Sequence, residues 1–112
     1  MLQNHQTIDF IAHDPETDRV VLSMVENRPW GDQGSLLPDL QNKLNTYLGF
    51  VLEGQLLEHH PEFKGKKIGF VLQTQHPLGA REQKFVSIVE RSHLLPRDIT
   101  WSVRLLSGEG NG

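Results

Sequence analysis

Five residues suited to ligand binding follow two hydrophobic runs of the chain: Glu26, Arg28, Trp30, Gln75 and His76. An arginine guanidinium binds a carboxylate or a phosphate through paired hydrogen bonds, and an indole covers the apolar part of a ligand well. These residue types predict a site for a small anionic molecule or a peptide carboxylate, held by Arg28 and Trp30 with help from His76. The alternative is structural: Arg28 would pair with a nearby carboxylate and Trp30 would close the end of the core.

Histidines and one aspartate form a second polar set at turns and helix ends: His13, Asp14, His59, His60 and His93. Imidazole and carboxylate groups are common metal ligands. His59 and His60 are adjacent, however, so on a helix they diverge by about 100° and cannot face one ion as an i, i+4 pair would. Histidine is also favoured at helix C-termini, where its charged form meets the negative end of the helix dipole. The spacing therefore predicts no metal site.

The sequence contains no recognisable motif for covalent or cofactor-dependent catalysis. Cysteine is absent, and no serine lies in a Gly-x-Ser-x-Gly turn of the kind that exposes a nucleophile. No glycine-rich loop after a strand matches either nucleotide-binding pattern. The sequence therefore predicts no cofactor and favours a protein that is not an enzyme. An enzyme whose site carries no short motif is the alternative.

Hydrophobic spacing predicts the elements that position these residues. Apolar and polar residues alternate, with the two-residue period of a strand, over 7–13, 19–25, 67–74 and 99–106. A helix with an apolar stripe begins near Ser35 as N-cap and frays out around residues 58–60, ahead of Pro61. A second helix spans residues 80–93 and ends before Pro96. The residues expected in the core are Phe10, Leu22, Phe70, Leu72, Trp101 and Val103 from the strands, and Leu44, Leu48, Val51, Phe85, Ile88 and Val89 from the helices.

The element order β-β-α-β-α-β predicts an α+β fold. The short polar link 14–18 makes the first two strands an antiparallel hairpin, and each helix spans a right-handed crossover between parallel strands. The expected architecture is a two-layer sandwich: a four-stranded mixed sheet in the order 1-2-3-4 with both helices on one face. The carboxyl ends of the second and third strands then share one edge with both helix N-termini, which gathers Arg28, Trp30 and His76 there.

The other face of this sheet would be left uncovered by the helices. It would present the apolar residues Ile11, Val21, Val25 and Val71 among polar ones, and contiguous apolar surface often marks an interface. One interpretation is a homodimer formed through this face. The other is β-propensity, since β-branched residues favour strands even in water.

Composition and charge exclude several classes of partner. The chain of 112 residues has a formal net charge of −3, so it lacks the basic surplus typical of nucleic-acid-binding domains. No apolar stretch is long enough for a membrane span, and residues 1–6 lack the apolar core of a signal peptide. We therefore expect neither nucleic acid nor membrane as a partner. We expect a cytoplasmic protein with a single domain over 1–106 and a flexible tail over 107–112.

Six segments of the sequence stand out: Ile8-Asp9-Phe10, His13-Asp14-Pro15, Val20-Val21-Leu22, Glu26-Asn27-Arg28-Pro29-Trp30, Leu40-Gln41-Asn42-Lys43-Leu44-Asn45-Thr46-Tyr47-Leu48 and Gly54-Gln55-Leu56. With these segments the chain resembles a family of small uncharacterised bacterial proteins of unknown function. The resemblance supports the fold and implies no activity. The sequence therefore predicts a non-catalytic binding or protein-interaction module, with a homodimer as one form. The alternative is a small enzyme, or a protein that binds a small anionic molecule at the loops after the second and third strands.

Overall fold

The computed structural model describes residues 2, 7–31 and 36–106, and these ranges contain four strands and three α-helices. The strands are β1 (Phe10–Asp14), β2 (Arg19–Glu26), β3 (Lys67–Thr74) and β4 (Ile99–Leu105). The helices are α1 (Leu37–Leu52), α2 (Gln55–His59) and α3 (Ala80–Val89). Within these ranges, no helix has both the length and the apolar composition needed to cross a bilayer. Ser35, the predicted N-cap, and the predicted tail 107–112 lie outside the described residues.

The four strands form one mixed sheet in the order β1-β2-β3-β4. β1 runs antiparallel to β2, while β2, β3 and β4 run parallel to one another. In the hairpin turn, the Asp18 N–H donates to the Asp14 carbonyl at 2.8 Å, and Asp18 has a φ of +60°. The Asp14 carboxylate also accepts the N–H of Glu16 at 3.0 Å, which stabilises the turn locally. The predicted α+β class and strand order are confirmed.

Helix α1 is formed by residues at helical spacing and is ended by a left-handed glycine. Leu40, Leu44 and Tyr47 are buried along it, and Pro38 is tolerated because it lies in the first turn, where its missing N–H breaks no helical hydrogen bond. Gly54 follows α1 with a φ of +88°, a conformation that favours glycine. The chain then enters the separate helix α2. The prediction of one continuous helix up to residues 58–60 was therefore wrong.

One hydrophobic core joins the sheet to the helices. Alternate residues of β2 and β3 are buried in it, and α1, α3 and the turn after α3 contribute further side chains. Its fully or nearly fully buried members include Val20, Leu22, Met24, Ile68, Phe70 and Leu72 from the strands, and Leu40, Leu44, Tyr47, Val86 and Leu94 from the helical segments. The rings of Tyr47 and Phe70 meet edge to face with centroids 5.8 Å apart. The side chains of α1 and α3 therefore share one cluster with the same set of strand residues.

The register of the hairpin corrects the prediction for Phe10 and Ile11. Ile11 lies opposite Leu22 and packs against the core, whereas Phe10 lies opposite Ser23 and is 60% exposed. Because side chains alternate between the two faces of a strand, Ile11 is on the core side and Phe10 is on the side facing away from the core. The placements of Phe10 in the core and of Ile11 on the uncovered face were both wrong.

Two other residues predicted in the core are more exposed than expected. Ile88 is 45% exposed and Val103 is 39% exposed. A groove of about 260 Å³ separates α1 from α3, and Ile88 lines it together with Leu48 and Phe85. The predicted helix over 80–93 also changes form, because α3 gives way to the π-helical turn Glu90–Leu94. The two helices therefore do not close over the core as completely as their apolar stripes predict.

Candidate functional site

The buried carboxylate of Glu26 and the guanidinium of Arg28 form the centre of the predicted site. Glu26 is the last residue of β2 and is fully buried. Arg28 donates from Nη2 to Oε1 at 2.6 Å and from Nε to Oε2 at 2.9 Å, and its backbone N–H donates to Oε2 at 2.8 Å. This bidentate geometry is among the strongest hydrogen-bonded contacts between an arginine and a carboxylate.

A second carboxylate joins this pair. Asp39, in the first turn of α1, accepts a hydrogen bond from Arg28 Nη2 at 3.3 Å. Burial alone would raise the pKa of Glu26, but the hydrogen bonds and charge of Arg28, together with the N–H of Leu2, hold the pKa below its usual value. The hydrogen bond to Glu26 raises the pKa of Arg28 in turn. Arg28 therefore already has two anionic partners from its own chain.

Trp30 is fixed by two acceptors at the end of β3. Its Nε1–H lies 3.0 Å from Thr74 Oγ1 and 3.2 Å from the carbonyl oxygen of His76. The Thr74 hydroxyl donates to the same carbonyl at 2.8 Å. The indole is partly buried and packs against the core. These contacts agree with the structural alternative, in which Trp30 closes one end of the core.

The five predicted residues lie at one edge of the sheet but fall into two groups. Glu26 and Arg28 belong to the carboxylate cluster, and Trp30 contacts the backbone of His76. Gln75 extends the pairing of β2 and β3, since its N–H donates to the Glu26 carbonyl at 3.0 Å. Gln75 and His76 are exposed. The role of all five in ligand binding stays a prediction.

A cavity opens beside Trp30 at the beginning of α3. Its volume is about 240 Å³, and its walls are Trp30, Gly31, Gly79, Ala80, Arg81 and Glu82. Glu82 is 2% exposed, and its Oε2 has no hydrogen-bond partner among the residues that the structure describes. Sequence reasoning missed this carboxylate. The available signal was its position three residues after the N-cap Gly79, where a glutamate side chain often turns back toward the helix start.

Comparison with models of protein families assigns this chain to a family. The model of DUF6572, a family of unknown function, matches residues 1–105. The chain belongs to DUF6572. The predicted membership of a family of unknown function is thereby confirmed, and DUF6572 brings no assigned activity with it. Neither a curated protein nor a solved structure matches the chain.

A buried polar cluster ties the segment that leads into β1 to helix α1 in this DUF6572 chain. Lys43 is fully buried, and its Nζ lies 2.9 Å from Asp9 Oδ1 and 3.2 Å from Thr7 Oγ1. The Tyr47 hydroxyl donates to the Ser23 carbonyl at 2.7 Å and accepts the N–H of Asp9 at 2.9 Å. Burial raises the pKa of Tyr47. Sequence reasoning missed this cluster, and the available signal was the place of Lys43 within the buried stripe of α1.

Charged residues at the opposite edge of the DUF6572 sheet pair with one another. Asp98 lies 2.7 Å from the ammonium group of Lys67. Asp18 lies 2.8 Å from that of Lys66 and 2.7 Å from His13 Nε2. The hydrogen bond from Lys66 lowers the pKa of Asp18, and the one from Lys67 lowers the pKa of Asp98. Lys66 and Lys67 are therefore ion-pair partners of aspartates in neighbouring turns.

The remaining histidines near this edge contact aromatic rings. His59 stacks on Phe50 with ring centroids 6.2 Å apart, and His60 stacks on Phe63 at 5.3 Å. Across the described ranges, no three side chains of His, Cys, Asp or Glu come together as metal ligands. His60 Nδ1 also lies 3.5 Å from Glu62 Oε2, so His59 and His60 contact aromatic rings and a carboxylate close by in the chain.

Proposed function

We propose that this chain is a non-catalytic interaction module that self-associates through the open face of its sheet, meaning the side of the strands that faces away from the core. The observation that carries the proposal is Phe10, which is 60% exposed on that face. Removing a large apolar side chain from water is worth about 1.5–3 kcal/mol. A partner surface that covered Phe10 would gain this contribution.

Apolar and small residues surround Phe10 on the open face. The register places Phe10 beside Ser23 of β2, and Ser23 beside Val71 of β3. The next row across the sheet contains Ala12 and Val21 in register. Two adjacent rows therefore combine apolar side chains with small ones. Such a composition suits close contact with a second surface.

This set differs from the one predicted from the sequence by a single residue. Val21, Val25 and Val71 lie on the open face, as expected from their alternation with the core residues of β2 and β3. Ile11 packs against the core instead, and Phe10 takes its place. Val71 is only 6% exposed and adds little accessible surface, so the proposed interface is built on Phe10, Val21 and Val25.

Ala12 is an exposed small residue of the open face on which a projecting ring can pack. Gly69 offers no such space, because the side chain of Thr100 covers it: a Cβ atom at Gly69 would be only 2.6 Å from Thr100 Oγ1. In a two-fold dimer each copy presents the same surface, so Phe10 of one copy can pack on the small residues of the other. Stacked sheets lie about 10 Å apart, a spacing that side chains of these sizes fill.

Sedimentation velocity on the untagged chain tests the proposal. We expect a dimer whose population rises with concentration up to about 0.5 mM, as the mass-action law requires. Phe10→Asp should abolish the dimer because it brings a charge into the interface. The matched control is Leu95→Asp, since Leu95 is 57% exposed but lies in the turn after α3. This control should keep the dimer.

Two results would contradict self-association through this face. One is an unmodified chain that sediments as a monomer at every concentration. The other is an equal loss of dimer in Phe10→Asp and Leu95→Asp, which would assign the effect to charge or solubility rather than to the face. Circular dichroism of both variants confirms that each is folded before the comparison is made.

An anionic ligand at Arg28 and His76 is the alternative that the sequence left open. Arg28 donates to both Glu26 and Asp39, so an incoming carboxylate or phosphate would compete with two partners already in place. This gives the alternative less support than the open face gives self-association. A chemical-shift titration with inorganic phosphate is the check. Saturable shifts at Arg28 and His76 would restore the alternative.

A further inference from the structure

A carboxylate with an unsatisfied oxygen lines the cavity at the start of α3. Glu82 is 2% exposed, and Oε2 lacks a hydrogen-bond partner in the part of the chain that the structure describes. Burying an ionised carboxylate without donors is costly, and native proteins meet the need with a chain group, a water or a ligand. Oε2 is closed off from solvent, but Glu82 is also a wall of a cavity of about 240 Å³. A donor bound in that cavity would pair with the carboxylate once the side chain turns toward it.

The walls favour a compact ligand with a positively charged donor. A carboxylate accepts strong hydrogen bonds from an ammonium group, and the face of an indole attracts cations. Trp30 is a fixed wall, because its Nε1 makes two hydrogen bonds at 3.0 and 3.2 Å. Gly31, Gly79 and Ala80 add little bulk. The volume lies just below the usual range of drug-sized pockets, which suits a small metabolite.

Arg81 adds the opposite charge to the same cavity. It is an exposed wall residue directly before Glu82 in the sequence, and Glu82 Oε2 is nevertheless without a partner. The first turn of α3 contributes backbone N–H groups and the positive end of the helix dipole. The walls of this cavity thus carry a negatively charged side chain, Glu82, and a positively charged one, Arg81. A ligand with an ammonium and a carboxylate group matches both.

We propose that this cavity binds a free α-amino acid. Its ammonium group donates to Glu82 and contacts the ring of Trp30, and its carboxylate meets Arg81 and the first turn of α3. This binding is independent of the proposed self-association, because the cavity is built from a loop and a helix start whereas the open face is built from strands. Either one can fail in experiment without the other.

A titration of the untagged chain, followed by amide chemical shifts, tests the ligand class. Each standard amino acid is added in turn, and the strongest binder is then compared with its N-acetyl derivative and its amide. We expect saturable shifts at Gly31, Gly79 and Glu82. The N-acetyl derivative, which lacks the ammonium group, should bind between about 10-fold and 100-fold more weakly. The amide, which lacks the carboxylate, should bind about 10-fold more weakly.

Two variants with matched controls assign the contacts. Glu82→Gln keeps the shape of the side chain and should weaken binding of the amino acid by about 10-fold or more. Arg81→Ala should remove the preference for the amino acid over its amide. The controls are Glu53→Gln and Arg91→Ala, two exposed residues outside the cavity walls. Both controls should bind as the unmodified chain does.

Several outcomes would overturn the proposal. The first is that no amino acid shifts the three amides at concentrations up to about 10 mM, which corresponds to negligible affinity. Equal binding of the N-acetyl derivative would remove the ammonium contact, and unchanged binding by Glu82→Gln would remove the role of this carboxylate. The same shifts with acetate alone would identify an anion site instead. The derivative series on the unmodified chain decides the matter even if Glu82→Gln does not fold.

Discussion

Two carboxylates, those of Glu26 and Glu82, are almost completely buried but differ in the hydrogen bonds that they accept. Glu26, at the end of β2, is fully buried and accepts three hydrogen bonds from Arg28. Glu82, in the first turn of α3, is 2% exposed, and within the described ranges its Oε2 accepts none. Burial therefore does not separate a structural carboxylate from a candidate site. The supply of donors does.

This difference gives each carboxylate a distinct expected role. Glu26 and its arginine form a closed unit, so the fold depends on it and a ligand has little to add. Glu82 leaves an acceptor unused beside a cavity, which lowers the stability of the empty protein and leaves binding energy for a donor. Substitutions around the two carboxylates should therefore have very different effects on unfolding.

Arg28→Met should produce the largest effect. It leaves the Glu26 carboxylate buried without its donors, and breaking such a pair costs about 3–5 kcal/mol. Because Arg28 is 36% exposed and water can partly replace it, we expect a loss near the lower end of that range. Urea unfolding measures the free energy. The control Arg81→Met removes an exposed arginine near the same end of the molecule and should change stability by less than about 0.5 kcal/mol. Equal losses would end the contrast between the two carboxylates.

Glu26→Gln should cost somewhat less, about 2 kcal/mol at neutral pH, because a charged acceptor becomes a neutral one. The pKa of Glu26 in the folded state lies below its ordinary value of 4.5. The stabilisation is therefore complete above that value and is lost as the pH falls through the lower, folded-state pKa. Unfolding curves of both proteins from neutral pH down into the acid range should converge. A difference that stays constant with pH would contradict this role.

Tyr47→Phe tests whether saturation also matters for an uncharged group. The hydroxyl joins the N–H of Asp9 to the carbonyl of Ser23, and its removal leaves both without this partner. We expect a loss of about 1–2 kcal/mol in the free energy of unfolding by urea. A variant as stable as the unmodified chain would show that water or a shifted backbone satisfies the two groups equally well.

Glu82→Met should have the smallest effect. It removes a buried carboxylate that lacks a donor on Oε2, which favours the variant, but it also removes a negative charge from the first turn of a helix. The two contributions oppose each other, so the free energy of unfolding should stay within about 1 kcal/mol of the unmodified value. A loss as large as that of Arg28→Met would mean that Glu82 is as well satisfied as Glu26.

The sheet was largely predictable because its strands follow simple alternation. The strand predicted over residues 67–74 is observed as β3, Lys67–Thr74. The order and directions of the strands also agree with the prediction. The hairpin register was not predictable in the same way. Phe10 and Ile11 are adjacent and both apolar, so the pattern fits either face. The turn that closes through Asp18 decides between them.

The sequence predicted that the five residues lie at one edge of the sheet, but it did not predict their contacts. The rule that ligands gather at the carboxyl ends of parallel strands pointed to this edge, and binding there stays a prediction. The rule does not say whether Arg28 turns outward or back to Glu26, two residues earlier, as it does here. Lys43 and Glu82 were missed for a shared reason. A charged residue is assigned to the surface by default. The position of each residue within its helix was the one sign in the sequence of the burial that the structure shows.

The link between Lys43, Tyr47 and β1 has a consequence for the dynamics of the edge. A five-residue strand with one neighbour would ordinarily fray, and its amides would exchange with solvent through small local openings. If β1 detached from the sheet, the Lys43 ammonium would lose its ion pair with Asp9, and both hydrogen bonds of the Tyr47 hydroxyl would break. Amide protons of the strand and of α1 should therefore exchange together as one cooperative unit, at a rate set by the opening of both.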